Sequence, residues 1–269
     1  MAQAVAGFTA PDARSRLDHL GTYTRTMPVT LERMFENALD WEHLPYVHAT
    51  SFSGIECLEA GSWGWRARLD FGEQTSEIEL RLYPEERRWI TRTLAGERAG
   101  SEIWTHALVL DPEQLRVVVD FFLPNVPAEH RARVGQGYAR QYRQLYDEDE
   151  AMMVERQRAL ALGGTTRSEI DLGPVADLPG VVERDGSRWR VVELDGALTA
   201  FDSRCPHLLG PLDDAPIADG VIRCPWHAYA FDLRSGRCLS GASCRMRPRP
   251  VALRDGRAWI VEAGGSNGG

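Results

Sequence analysis

Two short segments in the last third of the chain each combine a cysteine with a histidine at a spacing suited to metal binding. Cys205 and His207 are spaced C-x-H, Cys224 and His227 are spaced C-x-x-H, and sixteen residues separate the two pairs. Two loops of this kind predict one shared metal site. Zinc would accept two cysteines and two histidines in a tetrahedron. A two-iron, two-sulfide cluster would take the cysteines on one iron and the histidines on the other.

The residues around these pairs favour the cluster over zinc. Glycine and proline flank both pairs, so turns can bring backbone N–H groups close to the sulfurs and stabilise the negative charge of a cluster. Classical zinc fingers place their histidines on a helix, whereas strand and loop patterns surround these. Three further cysteines fit neither spacing and are predicted to be ordinary thiols: Cys57, Cys238 and Cys244.

A second candidate metal site lies in the stretch "DWEHLPYVH", residues 40–48. His43 and His48 are five positions apart, which on a straight helix would turn their side chains about 140° from each other. Pro45 lies between them, and its distortion of the helix is expected to bring both rings to one metal ion. Asp40, one turn before His43, is positioned to orient its imidazole. The alternative is a solvated polar helix face.

A carboxylate from the run "YDEDEAMMVERQ" is the expected third ligand, because two histidines and one carboxylate form the facial triad of non-haem Fe(II) oxygenases. At about 100° per residue, Asp149 falls within an apolar stripe of the predicted helix, whereas its neighbours point elsewhere. That stripe consists of Tyr138, Tyr142, Leu145, Tyr146 and Met153. A buried carboxylate is costly unless it is paired or binds a metal. The alternative is that the whole run is a charged helix face.

The elements that must position these residues form an α+β chain. The 269 residues carry a net charge of −8, which argues against nucleic acid or an anionic membrane as the main partner. Without a signal-peptide pattern or an apolar membrane-spanning run, a cytoplasmic protein is expected. The pattern predicts a helix from 28 to 48, strands over 52–122, a helix from about 128 to Leu162, and an all-β region. The predicted domains are 1–162 and 169–269, with a linker at 163–168.

The segments "CPHLLGPL" and "CPWHAYAFDLRSGRC" resemble a Rieske [2Fe-2S] domain, with a likeness extending over about residues 168–265. The resemblance implies that Cys205, His207, Cys224 and His227 hold the cluster. Respiratory Rieske proteins carry an extra cysteine in each loop, joined as a disulfide, where this chain has Gly210 and Trp226. The domain therefore resembles the soluble ferredoxin and oxygenase branch, with an expected potential low in the Rieske span of roughly −150 to +300 mV.

The segments "ENALDWEHLPYVH" and "DEDEAMMVERQ" resemble the iron-binding segments of Rieske non-haem iron oxygenases. The resemblance implies that His43, His48 and Asp149 bind Fe(II), and that Asp40 carries the electron route between an iron ligand and a cluster histidine. It also implies a START-like helix-grip fold, a catalytic domain that here precedes the Rieske domain, and a homotrimer.

Such an enzyme would use O2 to hydroxylate, dihydroxylate or demethylate a small apolar or aromatic substrate. The sequence lacks the nicotinamide-binding pattern GxGxxG, so an external reductase, a ferredoxin or both are expected partners. Two alternatives stay open at this point. One is a Rieske electron carrier fused to a ligand-binding domain without iron, and the other is a zinc-stabilised binding module.

Overall fold

The computed structural model describes residues 17–162, 169–184 and 186–261. The chain divides into two compact units, Met1–Met153 and Val154–Gly269. The predicted linker at 163–168 lies outside the described residues, and the predicted domain boundary at 162 stays a prediction. None of the helices in the described ranges is long and apolar enough to cross a membrane.

Seven strands of the first unit form one antiparallel sheet. They are β1 (Asp18–Met27), β2 (Gly54–Gly61), β3 (Gly64–Phe71), β4 (Gln74–Tyr83), β5 (Arg88–Ala95), β6 (Glu102–Asp111) and β7 (Gln114–Leu123). Their order is β1-β7-β6-β5-β4-β3-β2, so six strands form a meander and the first pairs with the last. The sequence patterns did not predict β1. Its alternation is broken by an irregularity between His19 and Gly21, as an extra residue in a strand does.

The helices of the first unit are α1 (Leu31–Leu39), α2 (Leu44–Val47) and α3 (Ala128–Leu162), of which α3 continues into the second unit. Thr30 caps the start of α1 by accepting a hydrogen bond from the Arg33 N–H. The prediction of one helix over 28–48 is wrong, because α1 ends at Leu39, with Asp40 as its C-cap, and a new helical turn begins at Leu44. Pro45 does not distort a helix; it lies in the first turn of α2, where its missing N–H leaves no helical hydrogen bond unmade.

Helix α3 packs across one face of the seven-stranded sheet. The Tyr138 ring stacks on Phe121 of β7 at 5.3 Å between centroids, and Tyr146 stacks on Tyr23 of β1 at 6.0 Å. The stripe that faces the sheet is therefore the one predicted from the helical spacing. A curved antiparallel sheet that holds one long helix is the helix-grip fold, and this prediction is confirmed.

The described part of the second unit contains nine strands. They are β8 (Ile170–Pro174), β9 (Gly180–Arg184), β10 (Ser187–Leu194), β11 (Ala197–Asp202), β12 (Ile217–Ala218), β13 (Val221–Arg223), β14 (Ala230–Asp232), β15 (Arg249–Arg254) and β16 (Arg257–Ile260). Six form a sheet in the order β8-β16-β15-β11-β10-β9, and β12-β13-β14 form a second sheet. The predicted strand-and-turn character of this region is confirmed, and its two Cys/His segments lie in the loops that follow β11 and β13.

Candidate functional site

His43 and His48 flank the single helical turn α2. His43 precedes its first residue and His48 follows its last. Because the turn between them is short, both imidazoles lie on the same side, with ring centroids 5.1 Å apart. Both side chains are buried, at 3% and 1% exposure. The sequence therefore brings the two rings together by ending α1 early, since one continuous helix would have separated them.

The Asp149 carboxylate of α3 meets both imidazoles. Its Oδ1 lies 3.4 Å from Nε2 of His43 and 3.1 Å from Nε2 of His48. One ligand atom from each of the three residues lies within 4.8 Å of the other two. Two imidazole nitrogens and one carboxylate oxygen are the donor set of the facial triad. The structure thus brings together the three residues that the sequence proposes as iron ligands.

A carboxylate also lies beside the other ring nitrogen of each histidine, at hydrogen-bonding distance in the case of His48. Asp40 Oδ2 lies 3.5 Å from Nδ1 of His43, and Glu148 Oε2 lies 2.6 Å from Nδ1 of His48. Metal-binding histidines commonly donate their second N–H to a carboxylate, which fixes the ring and raises its basicity. Asp40 has the position expected from the sequence. Glu148 was predicted to point elsewhere, and the structure corrects this.

Two residues of the site were missed by sequence reasoning. One is Glu148, and the other is Asn37, whose side-chain amide donates to Oδ1 of Asp149 over 3.0 Å. A signal for Glu148 was available, because His48 needs a carboxylate on its second nitrogen and Glu148 adjoins the proposed ligand. Asn37 lies one helical turn before Asp40 on α1, so its helical spacing could have suggested it.

The four acidic residues of "YDEDE" have different partners. Arg25 of β1 pairs with Asp147 and donates to Glu150 over 2.8 Å. Glu148 and Asp149 instead face the histidines. The run is therefore divided between a sheet-facing ion-pair network and the candidate metal site.

The electrostatics of the site favour an ionised carboxylate between the two imidazoles. Burial opposes the charged form, but the neighbouring carboxylates of Asp149 and Asp40 raise the pKa of His43 to about 9. Likewise, burial disfavours the Asp149 carboxylate, yet hydrogen bonds with His43 and His48 hold its pKa well below the usual range. An ionised carboxylate with two imidazoles is chemically suited to a divalent cation.

A cavity of about 340 Å³ adjoins these residues within the first unit. Its size falls within the usual range for small-molecule sites. Asp40, His43, His48 and Asp149 all contribute to its wall. The aromatic residues Trp65, Tyr138 and Tyr142 are among the lining residues.

The two Cys/His loops of the second unit have the same backbone pattern. Cys205 N–H donates to the Gly210 carbonyl over 2.8 Å, and Cys224 N–H donates to the Tyr229 carbonyl over 2.9 Å. In each loop the residue four positions after the cysteine returns a hydrogen bond to the cysteine carbonyl. These residues, Leu209 and Ala228, have left-handed φ angles of 61° and 53°. Each loop therefore closes in the same way around its cysteine.

The four proposed cluster ligands lie together, with the two histidines adjacent to each other and the two cysteines adjacent to each other. The His207 and His227 rings are 4.7 Å apart. The buried cysteines contact each other, and their hydrogen bond raises the pKa of Cys205 and lowers that of Cys224. A donor set of two adjacent thiols and two adjacent imidazoles fits a cluster with cysteines on one iron and histidines on the other.

Gly210 and Trp226 are direct neighbours in this site. A Cβ atom on Gly210 would lie 2.8 Å from the Trp226 ring and 3.1 Å from Sγ of Cys224. The two positions that would hold the disulfide in respiratory Rieske proteins are therefore in contact. Here the indole of Trp226 occupies the space in which a side chain at position 210 would lie.

The comparisons with known proteins agree with this geometry. The family model described as Rieske [2Fe-2S] domain matches residues 168–249. The second unit contains a Rieske [2Fe-2S] domain. The predicted Rieske resemblance is confirmed, and so is the order in which this domain follows the helix-grip domain.

Two curated proteins are similar to parts of the chain. The oxygenase component of dicamba O-demethylase from Stenotrophomonas maltophilia is 35% identical over 74 residues, covering 24% of this chain and 22% of that protein. The ferredoxin component of the naphthalene 1,2-dioxygenase system from Pseudomonas aeruginosa is 28% identical over 88 residues, covering 32% of this chain and 84% of that protein. The chain thus spans less than a quarter of the first relative.

A START superfamily protein from Mycobacterium smegmatis is similar among solved structures. The match is 18% identical, with a TM-score of 0.43, and covers 51% of this chain and 97% of that protein.

Proposed function

We propose that the protein is a Rieske-type non-haem iron oxygenase. His43, His48 and Asp149 would hold a mononuclear Fe(II), and Cys205, His207, Cys224 and His227 would hold the [2Fe-2S] cluster. The observation that carries this proposal is the convergence of both Nε2 atoms on Asp149 beside a cavity. A Rieske domain alone transfers electrons, whereas a facial triad beside a substrate-sized cavity supports oxygen chemistry.

The bound groups would divide the chemistry between them. Iron would supply the redox chemistry by which O2 oxidises an organic substrate, and the cluster would supply electrons one at a time. Asp40 and Glu148 would hold the two imidazoles in the orientation that presents Nε2. By the oxygenase resemblance, Asp40 is also the proposed point at which an electron reaches His43.

The cavity wall favours a small apolar or aromatic substrate. Lining residues between the sheet and α3 include Ile78, Leu80, Trp89, Ile103 and Tyr142. The proposed reaction is hydroxylation, dihydroxylation or demethylation of that substrate. External electrons would come from an NAD(P)H-dependent reductase, a ferredoxin or both. A cytoplasmic location and a homotrimer stay predictions.

Metal and sulfide content tests the proposal. Protein purified without oxygen is expected to contain about three irons and two acid-labile sulfides per chain. Asp149→Ala should lose one iron and keep both sulfides. Asp147→Ala is the matched control, because Asp147 lies in the same helix but pairs with Arg25. Equal iron content in the two variants and the parent protein would contradict the assignment of Asp149.

An electron carrier is the second candidate function, favoured by the similarity to a ferredoxin component. It predicts two irons and two sulfides per chain, with no further iron taken up when Fe(II) is added. It also predicts that His43→Ala leaves the iron content unchanged. Zinc without sulfide would contradict both candidates and favour a zinc-stabilised binding module.

A further inference from the structure

The cavity beside the candidate iron site is apolar along part of its wall and polar at one end of the sheet. The apolar residues Ile78 and Leu80 of β4 line the cavity. Earlier in the same strand the lining residues are the polar Gln74 and Ser76. Strand β5 runs antiparallel, with Thr93 opposite Ile78. Ser101, immediately before β6, is buried and joins the same polar end. Polar groups therefore gather where β5 turns into β6.

Arg98 lies in this turn and contributes to the cavity wall. Its guanidinium carbon is 5.1 Å from the centroid of the Tyr138 ring. Tyr138 is buried and is held in turn by stacking on Phe121. A guanidinium over an aromatic face is attracted by the ring and loses part of its freedom. The contact thus keeps an otherwise exposed arginine at the mouth of the cavity.

The charge of Arg98 is available to a ligand. Among the described residues that line the cavity, Arg98 is the one lysine or arginine. Asp40 and Asp149 are engaged with the histidines. Glu97 is the remaining acidic residue of the lining, and in the described part of the chain no ion pair joins it to Arg98. A guanidinium presents paired donors that match a carboxylate.

The distance along α3 sets the length of the ligand. Tyr138, which holds Arg98, precedes Asp149 by three turns, which corresponds to about 16 Å along the helix axis. Tyr142 and Leu145 line the cavity between them. A ligand that reaches from Arg98 to the histidines must therefore be elongated, with an apolar middle.

We propose that the cavity binds an elongated aromatic carboxylate, with its carboxylate at Arg98 and its far end at His43, His48 and Asp149. The proposal names the substrate class of the proposed oxygenase. It rests on the oxygenase function only in that the end of the ligand near the histidines would be oxidised. The binding step itself requires no turnover, so it can be measured separately.

Calorimetric titration of the full-length holoprotein without oxygen tests the proposal. The probes are biphenyl-4-carboxylate and its neutral isostere biphenyl-4-carboxamide. The parent protein should bind the carboxylate about 10- to 100-fold more tightly, the range expected for hydrogen bonds to a charged group. Arg98→Gln should abolish this preference. Glu97→Gln, which removes the neighbouring negative charge, should keep or increase it.

Three results would overturn the proposal: equal affinity for both probes, a preference that persists in Arg98→Gln, or no binding of either probe. The iron and sulfide content of each variant is measured alongside. It distinguishes a failure of the ligand proposal from a failure of the proposed oxygenase function. Three irons per chain with no preference for the carboxylate would contradict the role of Arg98 but not the oxygenase function. Two irons per chain with an intact preference would contradict the oxygenase function but not the proposed class of ligand.

Cys238 and Cys244 carry a second, independent inference. Arg237 and Arg245 form an antiparallel bridge, and the Met246 N–H donates to the Gly236 carbonyl over 2.9 Å. Extended by one residue, this register places Cys238 opposite Cys244. Opposed residues of an antiparallel pair have Cα atoms about 4.5–5.5 Å apart, which is within the range that a disulfide requires. Both thiols are free and half-buried.

We infer that Cys238 and Cys244 form a reversible disulfide. The two thiols would lose two protons and two electrons as the S–S bond forms, and a low-molecular-weight disulfide such as oxidised glutathione would be reduced to two thiols. Burial and the neighbouring Cys238 raise the pKa of Cys244, so the two thiols are close enough to interact.

Mass spectrometry of the holoprotein after exposure to oxidised glutathione tests this inference. The expected product is lighter by two hydrogens, has two fewer alkylatable thiols and keeps its cluster absorbance. Cys57→Ser should behave in the same way. Cys244→Ser should instead retain a glutathione adduct on Cys238. Glutathione adducts on Cys238 or Cys244 of the parent protein, or unchanged thiols at both positions, would each overturn the inference.

Discussion

The two candidate metal sites are built from opposite kinds of chain geometry. The cluster ligands come from two short loops of similar hydrogen bonding, and each loop supplies one cysteine and one histidine. The proposed iron ligands combine one helical turn with a distant helix, since His48 and its partner Glu148 are 100 positions apart. Local spacing therefore defines the first site, whereas the second exists only once α3 has packed on the sheet.

This difference predicts that the two sites can be lost separately. Cys224→Ser removes a buried cluster ligand from a loop that belongs to the second unit. We expect loss of the visible cluster absorbance and of all labile sulfide, with one iron per chain remaining. Iron and sulfide analysis of protein purified without oxygen measures both quantities.

Cys57→Ser is the matched control for this experiment. Cys57 lies in β2 of the first unit and belongs to neither proposed ligand set, so its replacement should leave three irons and two sulfides. A Cys224→Ser protein that keeps its sulfide would contradict the assignment of the cluster ligands. Loss of all three irons would show that the sites depend on each other.

The distant site should respond more gradually to a change outside its three proposed ligands. Glu148→Gln keeps the shape of the side chain but removes the charge that contacts Nδ1 of His48. Loss of such a supporting contact typically weakens metal binding about 10- to 100-fold. Fe(II) affinity, measured by competition with a chelator, should fall by this factor while the cluster stays intact.

Asp147→Asn provides the comparison for Glu148→Gln. It also neutralises an acid of α3, but its partner is Arg25 and its side chain is largely exposed. Fe(II) affinity should stay within about twofold of the parent value, because exposed ion pairs contribute little. An equal loss in both variants would mean that the net charge of the helix matters, and not the contact with His48.

The contrast between the sites also explains what could be predicted from the sequence. Ligands two or three residues apart are fixed by their own loop, so the cluster set could be proposed from spacing alone. Asp149 could be chosen because a helix has a known period and its stripe is apolar. Glu148 was missed because the requirement that places it comes from His48, on another element. The break between α1 and α2 was missed because Pro45 is compatible with both a distorted helix and a first turn.

Tight packing in the cluster loops should make them sensitive to a single methyl group. In Gly210→Ala the added Cβ would lie 2.8 Å from the Trp226 ring. Forcing an extra methyl group into packed surroundings costs about 1–3 kcal/mol. We expect a lower thermal midpoint for the holoprotein, together with a changed cluster spectrum. In contrast, Gly137→Ala in α3 meets no atom within 4 Å and should stabilise the helix by up to about 1 kcal/mol.

The smallest expected effect concerns the repeated left-handed residue of the two loops. Ala228 has φ 53°, a conformation that costs a residue other than glycine roughly 1–2 kcal/mol. Ala228→Gly removes this cost. Glycine also loses more backbone freedom on folding than alanine, which lowers the free energy of unfolding by about 0.5–1 kcal/mol. The net effect is a stabilisation of about 0.5–1 kcal/mol, seen as a slightly raised thermal midpoint of the holoprotein. Ala230→Gly, two positions later in β14 and buried, should lower that midpoint. If both variants are destabilised alike, the loop at Ala228 is not strained, and its likeness to the Leu209 loop has no energetic meaning.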